Sequence, residues 1–363
     1  MSECKKIVLV GGGHTHALFL KQWAEDPVGD TQLHVFDPQA KVPYTGMLPG
    51  FVAGHYDIED LYIDLRSLTQ AAGGVFHEVA VRSIDTKNST LSTATGTFQY
   101  DILSIDVGIH TQLNEDEATV GVKPLNEFAQ SWQSFIKQNE DTQPKIAVVG
   151  GGVAGVEVAL AMAHRLKNLN NNQPKITIID SGRLLNAVQD KTRKVLLQSL
   201  QKYRIEIREN VAVETITSHS VSLDSGEKID TDFTLLATGP QPYQWLSEID
   251  LPVTKGYVDV DETLRSPANQ QVFAVGDCAH FLARPLPKAG VFAVRQAPIL
   301  YRNICTLVSG ATLEKYHPQS DYLKLISLGE KSAMADKWGF TVSGKWLWRI
   351  KNYIDRTFMK QFK

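Results

Sequence analysis

Two glycine turns, each with an acid downstream, are the residues of this 363-residue chain whose types and spacing can do chemistry. The stronger is Gly150, Gly152 and Gly155, followed by Asp180. In a strand-turn-helix unit the first such glycine permits a tight turn and the second lets the backbone approach a pyrophosphate. The third lets helix and strand pack closely, and an acid ending the next strand accepts bonds from ribose hydroxyls. The phosphates rest on amides at the positive end of the helix. The first copy, Gly11 and Gly13 with Asp37, has His16 in the third position, so its phosphate turn survives while its closest helix packing is altered. For either copy the plain alternative is a glycine-rich turn tightening an ordinary βα unit. Asp180 predicts preference for NADH over NADPH, because a carboxylate repels a ribose 2′-phosphate, with Arg183 nearby as a counterweight. A further constellation, Gly276-Asp277, ends the β-rich run 271–275 and taken alone is a turn after a strand.

The elements that must position these residues repeat one plan. The run 5–10 (KKIVLV) leads into Gly11, an apolar helical face follows on Ala17, Leu18, Leu20 and Trp23, and the strand 33–36 ends at Asp37. The run 145–149 leads into Gly150, a helix is expected through Ala163, and the strand 175–179 ends at Asp180. Between the units lie β segments near 75–84 and 100–105, a helix at 126–137 and a polar linker, 138–143. Short strands at 205–208, 220–223 and 233–237 precede Thr238-Gly239-Pro240. The loop after Asp37 contains Pro43, Gly46, Pro49 and Gly50, and long loops in compact domains are commonly functional. The fold class expected is α/β, with two Rossmann-like dinucleotide-binding domains and a small C-terminal α+β region. The first domain is discontinuous (1–120 and 239–311), the second (121–238) is inserted into it, and the C-terminal region is 312–363.

Taken in order, Gly11/Gly13 with Asp37, Gly150/Gly152/Gly155 with Asp180, Thr238-Gly239 and Gly276-Asp277 resemble the two-dinucleotide FAD/NAD(P) oxidoreductases over most of the chain. These form the pyridine nucleotide-disulfide oxidoreductase superfamily. Within it the chain is similar to the type II NADH dehydrogenases and to the module found fused ahead of selenide, water dikinase. The second likeness is carried by Tyr44-Thr45-Gly46-Met47-Leu48-Pro49-Gly50, by Pro287-Lys288-Ala289-Gly290-Val291 with Ala293-Val294-Arg295-Gln296, and by the tail 346–362. The resemblance implies tightly bound FAD held by Gly11, Gly13, His14, Asp37, Val81, Gly276 and Asp277, with Asp277 on the ribityl chain. It implies hydride transfer from NADH, or less readily NADPH, to the flavin, and onward transfer to a quinone or a soluble small molecule, with a link to selenium metabolism by analogy. A flavin- and nucleotide-binding sensor with negligible turnover is the reading from another class.

Glu157 matches a glutamate that family members place near the nicotinamide, and Lys331 its lysine partner. The plain alternatives are a first-turn carboxylate favoured by the helix dipole and a solvated loop lysine. The sequence departs from its relatives in two respects. The loop 42–50 lacks the cysteine pair of the disulfide reductases, and Cys278 reads as a small packed residue. The glutamines of the quinone motif align with Val291 and Arg295, which counts against quinone reduction.

A formal net charge of -3 offers no overall basic field, so nucleic acid is not an expected partner. Three cysteines, Cys4, Cys278 and Cys305, form no CxxC pair, and no leader or membrane-spanning run is apparent, so a reducing, cytoplasmic setting is expected. Without a carboxylate or thiol at ligand spacing, His14 and His16 read as helix-start residues and not as a metal site. No kinase-like portion is expected after Lys363, and a homodimer remains open. The segment 345–363 carries six Lys/Arg against one acid, Asp355. As a helix it puts Trp346, Leu347, Ile350, Tyr353, Ile354 and Phe358 on one face and Lys345, Arg349, Arg356, Lys360 and Lys363 along one flank. That pattern suits either an anchor on the cytoplasmic face of a membrane or docking on protein.

Overall fold

Alternating apolar runs and helices build two parallel sheets whose strands are connected in the same way. The computed structural model describes residues 4–111, 119–139, 142–170, 174–309 and 311–363, so residues 140 and 141 of the expected linker lie outside the described residues. The first sheet orders its strands 265–266, Asn269–Ala274, Ile102–Ile105, Lys5–Val10, Thr31–Asp37 and Val75–Glu78. The second runs Thr119–Gly121, Phe233–Leu236, Lys145–Val149, Lys175–Asp180 and Glu206–Glu209. All pairings are parallel apart from the edge pair Arg265–Ser266 with Asn269–Ala274. Strands buried on both faces read as continuous apolar runs, as KKIVLV and KITIID do.

Four helices bear on the site: α1 (His14–Glu25), α2 (Val153–Asn170), α3 (Gly290–Ser309) and α4 (Lys345–Lys360). Helix α1 packs against α3, where Phe19 and Trp23 meet Tyr301 in an aromatic cluster. Helix α3 continues through Pro298, and α2 runs past the expected Ala163 to Asn170. Each half also carries a three-stranded antiparallel meander, Val81–Asp85 to Gly96–Gln99 in the first and Val213–Thr217 to Lys228–Asp230 in the second. The strand Thr119–Gly121 joins the second sheet beside Phe233–Leu236.

The C-terminal region is a three-stranded antiparallel sheet, Lys324–Leu328, Glu330–Lys337 and Phe340–Gly344, with α4 laid across it. It is not an appendage. Helix α2 packs on Lys324–Leu328, and the imidazole of His55, from the loop after the first unit, reaches the Gly329 carbonyl at 3.0 Å. Among the described residues no helix is long and apolar enough to cross a membrane.

Candidate functional site

The carboxyl ends of the first sheet open into a cavity of about 630 Å³. Gly11, Gly13, His14, Asp37, Val81 and Asp277 all line it, so strands far apart in sequence bring six expected cofactor residues to one hollow. Gly276 sits beside it in the turn that presents Asp277. Gly11 adopts φ +90°, and a Cβ there would stand 2.5 Å from the Asp106 carbonyl oxygen, so only glycine fits. Asp37 accepts from the Gly12 amide at 2.7 Å and the Gln39 amide at 2.8 Å, and burial pushes its carboxyl up to about 6. It therefore braces the turn as well as facing the cavity.

Asp277 forms an ion pair with Lys123 at 2.9 Å. Lys123 also lines the cavity and sits just before the helix Leu125–Gln138, and nothing in its local sequence marks it. The ammonium of Lys288 donates to the Ala279 carbonyl at 2.7 Å and lies 3.9 Å from the Tyr257 ring centroid. Among the described residues, buried His14 Nε2 has no hydrogen-bond partner, and burial pushes the ring down to about 4, so it is neutral at physiological pH. A long cavity with a glycine cradle at one point, a carboxylate at another and an unsatisfied imidazole fits a dinucleotide of the flavin kind.

The second turn repeats this geometry. Gly150 has φ +114°, its amide donates to Ile179, and Asp180 accepts from the Gly151 amide at 2.6 Å and the Gly182 amide at 2.8 Å. Gly152 faces open space, as a residue that admits a phosphate should, and a Cβ on Gly155 would lie 2.1 Å from the Gly150 carbonyl oxygen. The third-position difference in the first turn also has a structural answer. The His16 ring is fully buried and bonds Gly11 O at 2.6 Å and Ser104 Oγ at 2.8 Å. As a carbonyl can only accept, Nδ1 carries the proton and Nε2 accepts from the serine hydroxyl. His16 is thus a clamp on the turn and more than a helix-start residue.

Among the described residues no hydrogen bond or ion pair joins Glu157 and Lys331. Helix α2 begins at Val153, which puts Glu157 beyond its first turn, so the helix dipole is not what holds it. Its carboxylate accepts from the Ser327 amide at 2.6 Å on the C-terminal sheet, and burial holds its pKa above the usual carboxylate range, opposed by the charge of Lys351. Lys331 is exposed, 5.5 Å from the Trp348 ring centroid. The lysine whose charge bears on Glu157 is Lys351, buried on α4, which donates to the Gly46 carbonyl at 2.6 Å and to Asp355 at 2.7 Å. The Tyr44 hydroxyl reaches Asp355 at 3.4 Å. A signal for Lys351 was present in the sequence: Lys351 and Asp355, four apart, form a helical pair among apolar neighbours.

Helix α4 turns this charged pair inward, together with Leu347 and Met359. The apolar face expected from the sequence is therefore split. Phe358 stacks on Tyr44 with ring centroids 4.4 Å apart, whereas Trp346, Ile350, Tyr353 and Ile354 are exposed. The hairpin of the last two strands also exposes Trp338 and Phe340, the latter 77% accessible. Cys278 is buried, its thiol bonded to the Val275 carbonyl and pushed up to about 12 by burial, which makes it a packed, unreactive residue.

The fold and paired turns define a two-dinucleotide oxidoreductase. Residues 5–297 match the pyridine nucleotide-disulphide oxidoreductase model, and the chain belongs to that family. A curated relative, the type II NADH:quinone oxidoreductase of Staphylococcus saprophyticus, is 21% identical over 97% of this chain and 94% of its own length. Among solved structures, NDH2 from Plasmodium falciparum in complex with NADH superposes with a TM-score of 0.81 at 15% identity, covering 98% of both chains. The sulfide:quinone oxidoreductase of Aquifex aeolicus also gives 0.81, at 19% identity over 99% of this chain and 91% of that one. These structural likenesses establish the fold. The chain is an oxidoreductase of that family, and type II NADH:quinone oxidoreductases are among its curated relatives.

Proposed function

We propose that this chain binds FAD in the first cavity and NADH on the second turn, and passes electrons to a quinone at a membrane surface. FAD, when bound, supplies a ring that takes hydride from the nicotinamide and gives electrons onward. Gly11, Gly13 and His14 cradle its diphosphate, Val81 borders it, and Asp277 holds the sugar-alcohol chain. Gly150, Gly152 and Gly155 carry the diphosphate of NADH. Asp180 receives the ribose hydroxyls while also bracing Gly151, and its charge disfavours NADPH. The protein's own contribution is alignment and exclusion of water.

The observation that carries the quinone reading is the two-sidedness of α4. One face plugs Lys351 into the loop at Gly46, on the wall of the flavin domain, and the other presents aromatic side chains with Lys345, Arg349 and Lys360 exposed around them. An aromatic and basic surface of this kind suits an anionic bilayer, and it sits on the element that touches the flavin loop. Glu157 and Lys351 are the pair we assign to moving protons for the acceptor. Lys331 is assigned no role. The second reading, a soluble acceptor, is favoured by Val291 and exposed Arg295 at the positions of the quinone motif's glutamines.

The test combines sedimentation with kinetics. The protein should cosediment with anionic vesicles at low salt and lose that binding in Arg349→Glu/Lys360→Glu, with NADH oxidation faster toward a quinone analogue than toward soluble acceptors. Truncation at Gly344 is unsuitable, since it removes Leu347, Lys351 and Asp355 from buried positions. Protein that stays in the supernatant and prefers a soluble acceptor sinks the quinone reading.

A separate variant tests the donor turn. In Gly155→Ala the new methyl meets backbone at 2.1 Å, so the turn must shift. Overpacking of this kind costs about 1–3 kcal/mol, and we expect the KM for NADH to rise about tenfold or more with flavin content unchanged. Loss of flavin with unaltered KM would reverse the assignment of the two turns.

A further inference from the structure

The two glycine turns are built on one plan and differ at two coupled positions. The amide of Gly11 donates to Phe36 as that of Gly150 donates to Ile179, and the amide of Asp106 donates to Val10 as that of Ala237 donates to Val149. A Cβ on Gly11 would meet the Asp106 carbonyl oxygen at 2.5 Å, and one on Gly150 the Ala237 carbonyl oxygen at 2.4 Å. Asp106 therefore occupies the place of Ala237, and His16 the place of Gly155. In the second half the small pair packs face to face, a Cβ on Gly155 coming 3.1 Å from that of Ala237. In the first half the His16 ring folds back onto Gly11 and Ser104, and the Asp106 carboxylate moves over the start of α1. There Oδ2 accepts from the amides of Thr15 at 3.0 Å and His16 at 3.1 Å.

Asp106 is 2% exposed, lines the cavity, and belongs to neither glycine signature. Its Oδ1 points between them, 2.3 Å from where a Cβ on Gly276 would stand and equally close to one on Gly13. An ionised carboxylate here would face the diphosphate that the same turn is shaped to receive. We propose that Asp106 is a cofactor-binding residue that works as a neutral acid, its Oδ2 accepting the α1 amides while Oδ1–H donates to a diphosphate oxygen of the dinucleotide. This rests on the reading that the cavity takes FAD.

The surroundings favour the neutral form. Burial pushes the Asp106 carboxyl up to about 7, the Asp277 carboxylate adds to the rise, and the α1 amides oppose it. Of the other groups facing it, His14 and His16 are both pushed down to about 4 by burial and stay uncharged. The Cys278 thiol is pushed up to about 12, Asp277 is paired with Lys123, and the Lys288 ammonium is bonded to the Ala279 carbonyl. Asp106 is thus a group at this spot whose charge changes near pH 7, and Asp37 on the same cavity, pushed up to about 6 by burial, changes charge about a unit lower. Below its pKa Asp106 donates to the diphosphate, and above it the two repel. FAD affinity is therefore full on the acid side and falls as pH rises, approaching about tenfold per pH unit.

The experiment is FAD release from the holoprotein across the neutral range, read by the fluorescence that free flavin regains. The unaltered protein should show a dissociation constant that climbs above about pH 7. Asp106→Asn, which keeps an acceptor for the α1 amides and a donor for the phosphate, should bind tightly with no such slope. Asp106→Ala, which recreates the residue of the other half, should bind more weakly and also without slope. A flat profile in the unaltered protein, or an undiminished slope in Asp106→Asn, overturns the proposal. Absence of FAD binding at every pH overturns the flavin reading along with it, so the two failures are distinguishable.

Discussion

Asp277→Ala should be purified without flavin. The carboxylate stands at the end of a buried strand, 18% exposed, and its partner in the protein is Lys123 at 2.9 Å. Both groups line the cavity, so removing the acid withdraws a charged acceptor from the sugar-alcohol chain of the FAD we propose to lie there and takes away the ion-pair partner of Lys123. A hydrogen bond to a charged group contributes about 1.5–3 kcal/mol, so the dissociation constant for FAD should rise about ten- to a hundredfold. Asp277→Asn, which retains a neutral acceptor, should fall between. Visible absorbance per chain, before and after addition of FAD, reads the effect. A variant that keeps full flavin content through gel filtration removes Asp277 from the site. Binding of NADH, which we propose for the second turn, is the internal control, since among the described residues no hydrogen bond or ion pair joins that turn to Asp277.

Lys351→Met is expected to be the most destabilising of these substitutions, although the residue lies on a surface helix. Side-chain exposures are 10% for Lys351 and 5% for Asp355, and the pair joins α4 to the carbonyl of Gly46. Deleting one partner of a buried ion pair leaves the other charge unpaired and costs about 3–5 kcal/mol. Asp355 is already held above the usual carboxylate range by burial, with Lys351 and the Tyr44 hydroxyl opposing that rise. Without the lysine, the carboxyl of the folded protein rises further above that of the unfolded chain. A group with a raised folded-state pKa disfavours folding increasingly as pH climbs through that value. The defect should therefore be small in acid and large at alkaline pH in chemical denaturation. Adding Asp355→Asn should recover most of the loss, because an amide can still accept from Tyr44. A single variant as stable as the parent at alkaline pH would mean that the pair holds nothing together.

The second glycine turn was legible because its chemistry is local: strand, Gly150, Gly152, Gly155 and Asp180 lie within one βαβ unit, and their spacing follows from the backbone alone. The same holds for Gly11, Gly13 and Asp37, and for the alternation that marks both sheets. His16 was visible as a departure, yet its meaning was not, because the Ser104 hydroxyl and the Asp106 carboxylate that complete the clamp arrive from a strand about ninety residues away. Lys123 is in the same position, made relevant only by Asp277, which folding brings to it.

The tail shows where local reasoning stops. Helical periodicity groups Trp346, Leu347, Ile350, Tyr353, Ile354 and Phe358 on one broad side, but periodicity weighs hydrophobicity and cannot tell which flank meets the protein, and the fold splits that group. In the fold the buried flank is the one carrying Lys351 and Asp355, because Gly46 and Tyr44 supply partners that neutralise and bond them, and much of the apolar face is left outside. By itself, then, the sequence determined the family, the two glycine turns and the acids that brace them, since each is written in residues close enough to be positioned by one strand and one helix. Only the tertiary structure decided which lysine's charge bears on Glu157, what replaces the missing third glycine, and which side of the last helix faces out. Each of those depends on a partner from a distant segment, and the energy of a buried polar group is set by the partner it finds.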